Sequence, residues 1–177
     1  MIARRSRVGP GSLGAMLSSR RLAPLVALLA CSCTSPSTED LTVNASIEAA
    51  NLTVKSAPGG LATTPLGSFT LVLKLGELAS GTTDVTWQAG FALQRSSDRK
   101  VLVGKLPALA AVQSVNVGIG NTVKVAFAFD EMVSLGGADA KDGICSAGSV
   151  VITGAIFDSA QGKTVPVESG AFTPSCL

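Results

Sequence analysis

A chain of 177 residues accommodates one domain plus extensions, and 15% charged residues is below the roughly 25% of an average soluble domain. The formal charge of +2 hides an asymmetry: Arg4, Arg5, Arg7, Arg20 and Arg21 precede residue 31 with no acidic residue among them, whereas the remainder holds nine basic and twelve acidic residues. With a net −3, no basic block and one Trp, that remainder argues against a nucleic-acid surface, and the absence of His excludes Ser-His-Asp and Cys-His catalysis.

The first element is a leader. Leu22 to Ala30 (LAPLVALLA) is an uncharged apolar run behind Arg20 and Arg21. It has the length of a signal-peptide h-region and falls short of the roughly 20 residues that span a bilayer as a helix. Met1 to Leu17 is long for the segment ahead of it, and Met16 gives a compact alternative start, so residues 1–30 are expected to be a signal peptide begun at Met1 or Met16.

The run ends in Leu28-Leu29-Ala30-Cys31, which resembles the lipobox of bacterial lipoproteins: Leu, a small or apolar residue, Ala or Gly, then Cys. The resemblance covers the leader alone. It implies cleavage between Ala30 and Cys31, a diacylglyceryl group on the Cys31 thiol, and often an acylated new amine. Ser32 in place of Asp further implies sorting to the outer membrane. Two or more acyl chains hold a protein stably, at roughly 0.8 kcal/mol per buried CH₂. Secretion as a soluble product, and an apolar helix that is never exported, are the competing readings. The SRRLAPL stretch also resembles a twin-arginine signal, from whose pattern Ala23 departs.

Residues 31–39, rich in Ser, Thr and Pro, read as a tether. Extended from Cys31 to Asp40 it reaches at most about 35 Å, which keeps the domain close to the membrane. From residue 40 to 177 the pattern is period-two alternation broken by turn chemistry. Leu41, Val43, Ala45 and Ile47 share a face, and the phase then flips to Leu52 and Val54, predicting a bulge around 49–51. A Pro/Gly-rich loop is expected over Ala57 to Gly67, followed by Phe69, Leu71, Leu73 and Leu75 on one face. Val85, Trp87, Ala89, Phe91 and Leu93 predict the longest alternating strand, which Arg95 to Arg99 fold back into Val101 and Val103. Leu106 to Val112 (LPALAAV) is the one stretch with the look of a helical turn. Val115 and Val117 lead through a Gly120-Asn121 turn to Val123, Val125, Phe127 and Phe129. Val150 to Phe157 turns at Asp158 to Gly162 and pairs with Val165 and Val167. The expected fold is all-β: an antiparallel β-sandwich of immunoglobulin-like general architecture with about eight strands, Trp87 and the Phe residues in its core, and a small barrel as the alternative.

Four cysteines remain to be placed. With Cys31 acylated and Cys33 on the tether, Cys145 and Cys176 are the natural disulfide in an oxidising compartment, and Cys33 is left over. Two free buried thiols, or a metal site short of ligands, are the alternatives. Asp130, Glu131, Asp139 and Asp142, with Gly136, Gly137 and Gly143 between, form the most suggestive acidic cluster. Their oxygens could hold Ca²⁺, though the spacing is not that of an EF-hand. A carboxylate pair could also serve glycoside hydrolysis, against which the 4% aromatic content argues. Ser97-Asp98-Arg99-Lys100 matches a Ser-x-x-Lys pattern but falls in a turn, and Gly162-Lys163-Thr164 ends like a P-loop while opening a strand. The expectation is a non-enzymatic envelope lipoprotein without a cofactor. It would be held to the membrane by its lipid, face the periplasm or cell surface, and act through a protein partner or a structural role. A calcium- or ligand-binding module through residues 130–142 and a carboxylate-based envelope hydrolase are the alternatives.

Overall fold

The computed structural model describes residues 41–56, 61–87 and 90–177. The signal segment, Ala30, Cys31, Cys33 and the tether lie outside the described residues. Within these, eleven strands and one helix follow in chain order: β1 (Val43–Ser56), β2 (Thr63–Leu75), β3 (Thr83–Thr86), β4 (Phe91–Arg95), β5 (Val101–Leu106), β6 (Ala108–Ala110), β7 (Ser114–Val117), β8 (Thr122–Phe129), α1 (Ala138–Cys145), β9 (Val150–Asp158), β10 (Lys163–Glu168) and β11 (Ser175–Cys176). The first sheet runs β11-β1-β2-β8-β6; the second runs β5-β4-β9-β3-β7, with β10 also paired to β9. All pairings are antiparallel except β1 with β11. This is a two-sheet, largely antiparallel β-sandwich, with more strands than the alternation suggests.

Two bulges shape the sheets in different ways. Glu48 pairs with Thr70 and Asn51 with Ser68, so β1 carries one extra residue. One extra residue reverses which face the following side chains take, as the shift from Ile47 to Leu52 anticipates. Ala49 takes φ 51°, and Gly67 opposite takes φ 129°. A Cβ on Gly67 would fall on the Asn51 carbonyl oxygen, so the close approach there needs glycine. The expected loop therefore ends early. β2 already begins at Thr63, and Pro65 fits it because β8 pairs only with residues 68–74, leaving that side of β2 without a ladder.

The second bulge divides the run from Val85 to Leu93. Thr86 pairs with Phe157 and Phe91 with Gly154, five residues advancing against three. β10 occupies the other edge of β9, so β3 and β4 are one interrupted strand along a single edge. Gly90, at φ 72°, accommodates the two extra residues.

The core lies between the sheets. Phe69 and Phe127, paired across β2 and β8, stack with centroids 4.8 Å apart. From the facing sheet Phe91 meets both edge-on at 4.8 and 5.0 Å, and Trp87 meets Phe127 at 5.4 Å. Each such ring buried contributes about 1.5–3 kcal/mol, with about 0.5–1.5 kcal/mol more for a well-oriented pair. Leu71, Leu73, Leu93, Ile152 and Ile156 extend the core. Phe157 is the exception to the expected set: it stays 40% exposed because its neighbours Ile156 and Asp158 take the inward positions of β9.

Both flanks of the sandwich are closed by segments that change sheets. β5 pairs with β4, β6 crosses to β8, and β7 returns to β3. Residues 106–112 are therefore not a helical turn. Asp130 N–H donates to the Pro107 carbonyl at 2.7 Å, and residues 108–110 take ladder positions that β8 would otherwise leave open. On the other flank β10 lines β9, Ser169 bridges to Ile47, Phe172 bridges to Val150, and β11 joins β1. Such crossings cover sheet edges that would otherwise invite another strand. The Gly120-Asn121 turn also leads from the second sheet to the first and makes no hairpin.

The helix is the element the alternation does not announce. α1 starts after Gly137, has Asp139 in its first turn, where the helix dipole favours a carboxylate, and buries only Ile144. One inward residue in eight leaves no apolar stripe to read. No helix of the described residues is long and apolar enough to cross a membrane.

Candidate binding surfaces

The sequence-predicted residues fall into separate places. Cys145 ends α1 and Cys176 lies in β11; the two form a disulfide with Cα atoms 6.1 Å apart. It ties the helix to the outer edge of β1, where Leu177 N–H also donates to the Val54 carbonyl at 2.9 Å. Lys141 adds two bonds across the same seam, donating to the Leu177 oxygen at 2.6 Å and Ser56 Oγ at 3.0 Å.

The acidic four do not assemble. Asp130 follows β8, where its Oδ1 accepts from Met132 N–H at 2.9 Å, while Asp139 and Asp142 ride on α1. No group of three or more His, Cys, Asp or Glu able to hold a metal ion occurs among the described residues. Asp130 turns one carboxylate oxygen to a local turn, and the four carboxylates make no such group.

Ser97 to Lys100 is a hairpin turn, as expected. Arg95 N–H donates to the Lys100 carbonyl at 2.9 Å, and Arg99 takes φ 60°. Asp98 accepts from Lys100 N–H and Arg95 Nη1, each at 3.1 Å. The bond from the Lys100 N–H, helped by the Arg95 charge, holds the Asp98 carboxyl below its usual acidity range. Gly162 lies in the β9–β10 turn at φ 60°, and Lys163 and Thr164 open β10, so no phosphate loop forms there.

Two features carry no sequence motif. One is an apolar surface. In the first sheet, Leu41 enters at the end where Val43 pairs with Leu75; the opposite end is where Ser56 pairs with Thr63 and where Leu135 and Gly136 bond Thr63. At that opposite end Leu61 is 88% and Met132 93% exposed. Next to it Leu106, Pro107, Ala108, Leu109 and Val133 line a groove of about 380 Å³, with Lys105 and Asp130 on its walls. Apolar side chains exposed together mark interaction surfaces more often than scattered single ones do.

The other is a buried acid. Asp158, 1% exposed, closes β9 at the end of the sandwich where Leu41 enters. Its Oδ1 accepts from Thr83 Oγ1 at 2.5 Å, Ala160 N–H at 3.1 Å and Gln161 N–H at 3.4 Å. Thr83 Oγ1 in turn accepts from Ala160 N–H at 3.1 Å. Oδ2 is withdrawn from solvent and has no hydrogen-bond partner among the described residues. In sequence Asp158 reads as one more turn residue, and only the pairing of β3 with β9 reveals its burial.

No protein-family model matches the chain, and no curated protein matches it. Among solved structures, the chain is similar to the ASH / PapD-like domain of human CEP192 (PapD-like domain 7), with a TM-score of 0.37, 10% sequence identity, and coverage of 93% of this chain and 98% of that one.

Proposed function

We propose that this chain is a non-enzymatic lipoprotein of the bacterial envelope, anchored through Cys31 to the outer membrane, whose β-sandwich binds an envelope protein. The pairing of Cys145 with Cys176 supports export, because disulfides persist in oxidising compartments and are rare in the cytosol. Leu28-Leu29-Ala30-Cys31 behind an apolar run is what supports the lipid anchor itself.

The observation that carries the binding role is the exposed apolar end formed by Leu61, Leu109, Met132 and Val133. Burying Leu109 and Met132 in a partner would yield about 1.5–3 kcal/mol per side chain, the scale of an interface anchor.

The mass of the N-terminal peptide of the mature protein, for wild type and Cys31→Ser, tests the anchor. An acylated Cys31 in wild type and unprocessed precursor in the variant are expected; an unmodified terminus or an uncleaved chain would refute it. A photo-crosslinking residue at Val133, read in cells, tests the binding end. A discrete adduct lost in Leu109→Glu/Met132→Glu is expected, and an adduct equally strong in that variant would refute it.

A further inference from the structure

We propose that the open edge of β8 accepts an extended segment of another protein as an added antiparallel strand, with apolar residues on either side of a carboxylate. Along a strand, successive residues turn their N–H and C=O groups to opposite neighbours. Gly120 N–H donates to the Leu75 carbonyl as the chain enters β8, so the odd-numbered residues of β2 face β8, and Val123, Val125 and Phe127 face back. The even-numbered residues of β8 point the other way. There Ala128 pairs with Leu109, and Asp130 N–H beyond it reaches the Pro107 carbonyl. However, β6 ends at Ala110, opposite Phe127, and the chain crosses to β7 in the second sheet. Thr122, Lys124 and Ala126, all exposed, therefore aim their N–H and C=O groups at an edge that no strand of the described residues occupies.

The other sheet edges are blunted. β5 is broken by two register shifts, and β6 is three residues long behind Pro107. β7 is four residues long and runs at once into the Ile119–Leu75 bridge. β10 carries Pro166 and leads to the Ser169–Ile47 bridge, and β11 is two residues tied by the disulfide. β8 instead keeps an unbroken register with β2 from Thr122 to Ala128. Its open length, Thr122 to Ala126, is about 17 Å of strand and matches a short extended peptide. A second copy does not fit it. β6 holds the edge from Phe127 onward, so two copies related by a two-fold axis could lay only residues 122–126 against each other. That sets Lys124 directly opposite the same lysine of the copy, and like charges so placed repel. A segment of a different protein is free of that constraint and can meet Lys124 with a carboxylate. Lys124 is the only charged residue of β8, and its side chain is 62% exposed beside Glu48. The residues flanking that carboxylate would point inward beside Val123 and Val115, which the fold leaves only partly buried. None of the residues of the exposed apolar end is involved, so this site stands apart from that reading.

The test pans a phage library of random peptides on the full chain and uses the enriched peptides, synthesised, as probes. They are expected to alternate apolar residues around Asp or Glu. They should slow hydrogen exchange at the Thr122, Lys124 and Ala126 amides and leave Val123 and Val125, already bonded to β2, unchanged. Ala126→Pro removes an outward N–H that β2 does not use, a place where a strand tolerates proline. Loss of that bond should weaken the peptides about tenfold. Should this variant fail to fold, Lys124→Glu is expected to weaken the same peptides while Lys124→Arg binds them as wild type does. A library that enriches nothing, peptides that bind Ala126→Pro or Lys124→Glu as tightly as wild type, or protection confined to other amides would overturn the proposal. So would slow exchange at the three amides without peptide, since the edge would then be filled by the chain itself or, where the effect grows with concentration, by a second copy.

Discussion

Gly154 sits in the middle of β9 directly opposite Phe91, and the Phe91 ring lies over the space a side chain would occupy. An added Cβ would stand 2.5 Å from Cδ1 and 2.9 Å from Cε1 of that ring, so Gly154→Ala requires the ring to retreat by about 1 Å to reach ordinary contact. It has nowhere to go, because its other side meets Phe69 and Phe127 and only 3% of it is exposed. Overpacking of this kind costs about 1–3 kcal/mol, from which the reduced freedom of the unfolded chain returns about 0.4–1 kcal/mol. The expected net is a loss of about 1–2 kcal/mol, read as a lower urea midpoint at unchanged m-value. Phe91→Leu separates this mechanism from a backbone effect. The shorter side chain vacates the contested space, so the double variant should lose about 1 kcal/mol less than the sum of the single losses. A neutral or stabilising Gly154→Ala, or losses that add within about 0.3 kcal/mol, would refute the steric argument.

Three further outcomes are expected. Replacing Cys145 and Cys176 by Ala opens a loop with a sequence separation of 31 residues and should lower stability by about 3.7 kcal/mol in the chain-entropy model, checked by urea unfolding against the oxidised wild type. Gly67→Ala combines a φ of 129° with a clash on the Asn51 carbonyl and should destabilise by more than 1 kcal/mol, whereas Gly104→Ala, with open space around it, should stay within about 0.5 kcal/mol. Asp98 is held below the usual carboxylate range, so its contribution is present above the unfolded-state value and is lost as pH falls through the lower folded value; Asp98→Asn should be slightly less stable than wild type at pH 7, and the two should converge in urea titrations carried to acid pH below that range.

The two bulges show what period-two patterning can and cannot reveal. An insertion of one residue, at Ala49–Asn51, reverses the inward face and is written in the sequence as the step from Ile47 to Leu52. An insertion of two, between Thr86 and Phe91, restores the face, so Val85, Trp87, Phe91 and Leu93 all point inward across a break that alternation cannot register. The hairpin turns at residues 95–100 and 158–163 were legible because Ser, Asp and Gly there have local bonding of their own. The crossing at residues 106–112 was not, since Ala and Leu at an edge take whatever conformation the neighbouring strand demands. The disulfide followed from counting cysteines; the apolar end and the buried Asp158 did not, because exposure of Met132 and burial of Asp158 are properties of the assembled sheets.

The seam along β1 sets an order of events. Thr53 and Val54 take Ser175 and Cys176 as partners, across some 120 intervening residues. β2 can join β1 through a short connection, but the outer edge of β1 must wait until nearly everything else has been made. Contacts of such long sequence separation slow folding and leave the chain open in the interval. A chain that cannot complete itself early stays threadable, the state that the export proposed above would require, and the Cys145–Cys176 bond would lock the seam once it has closed.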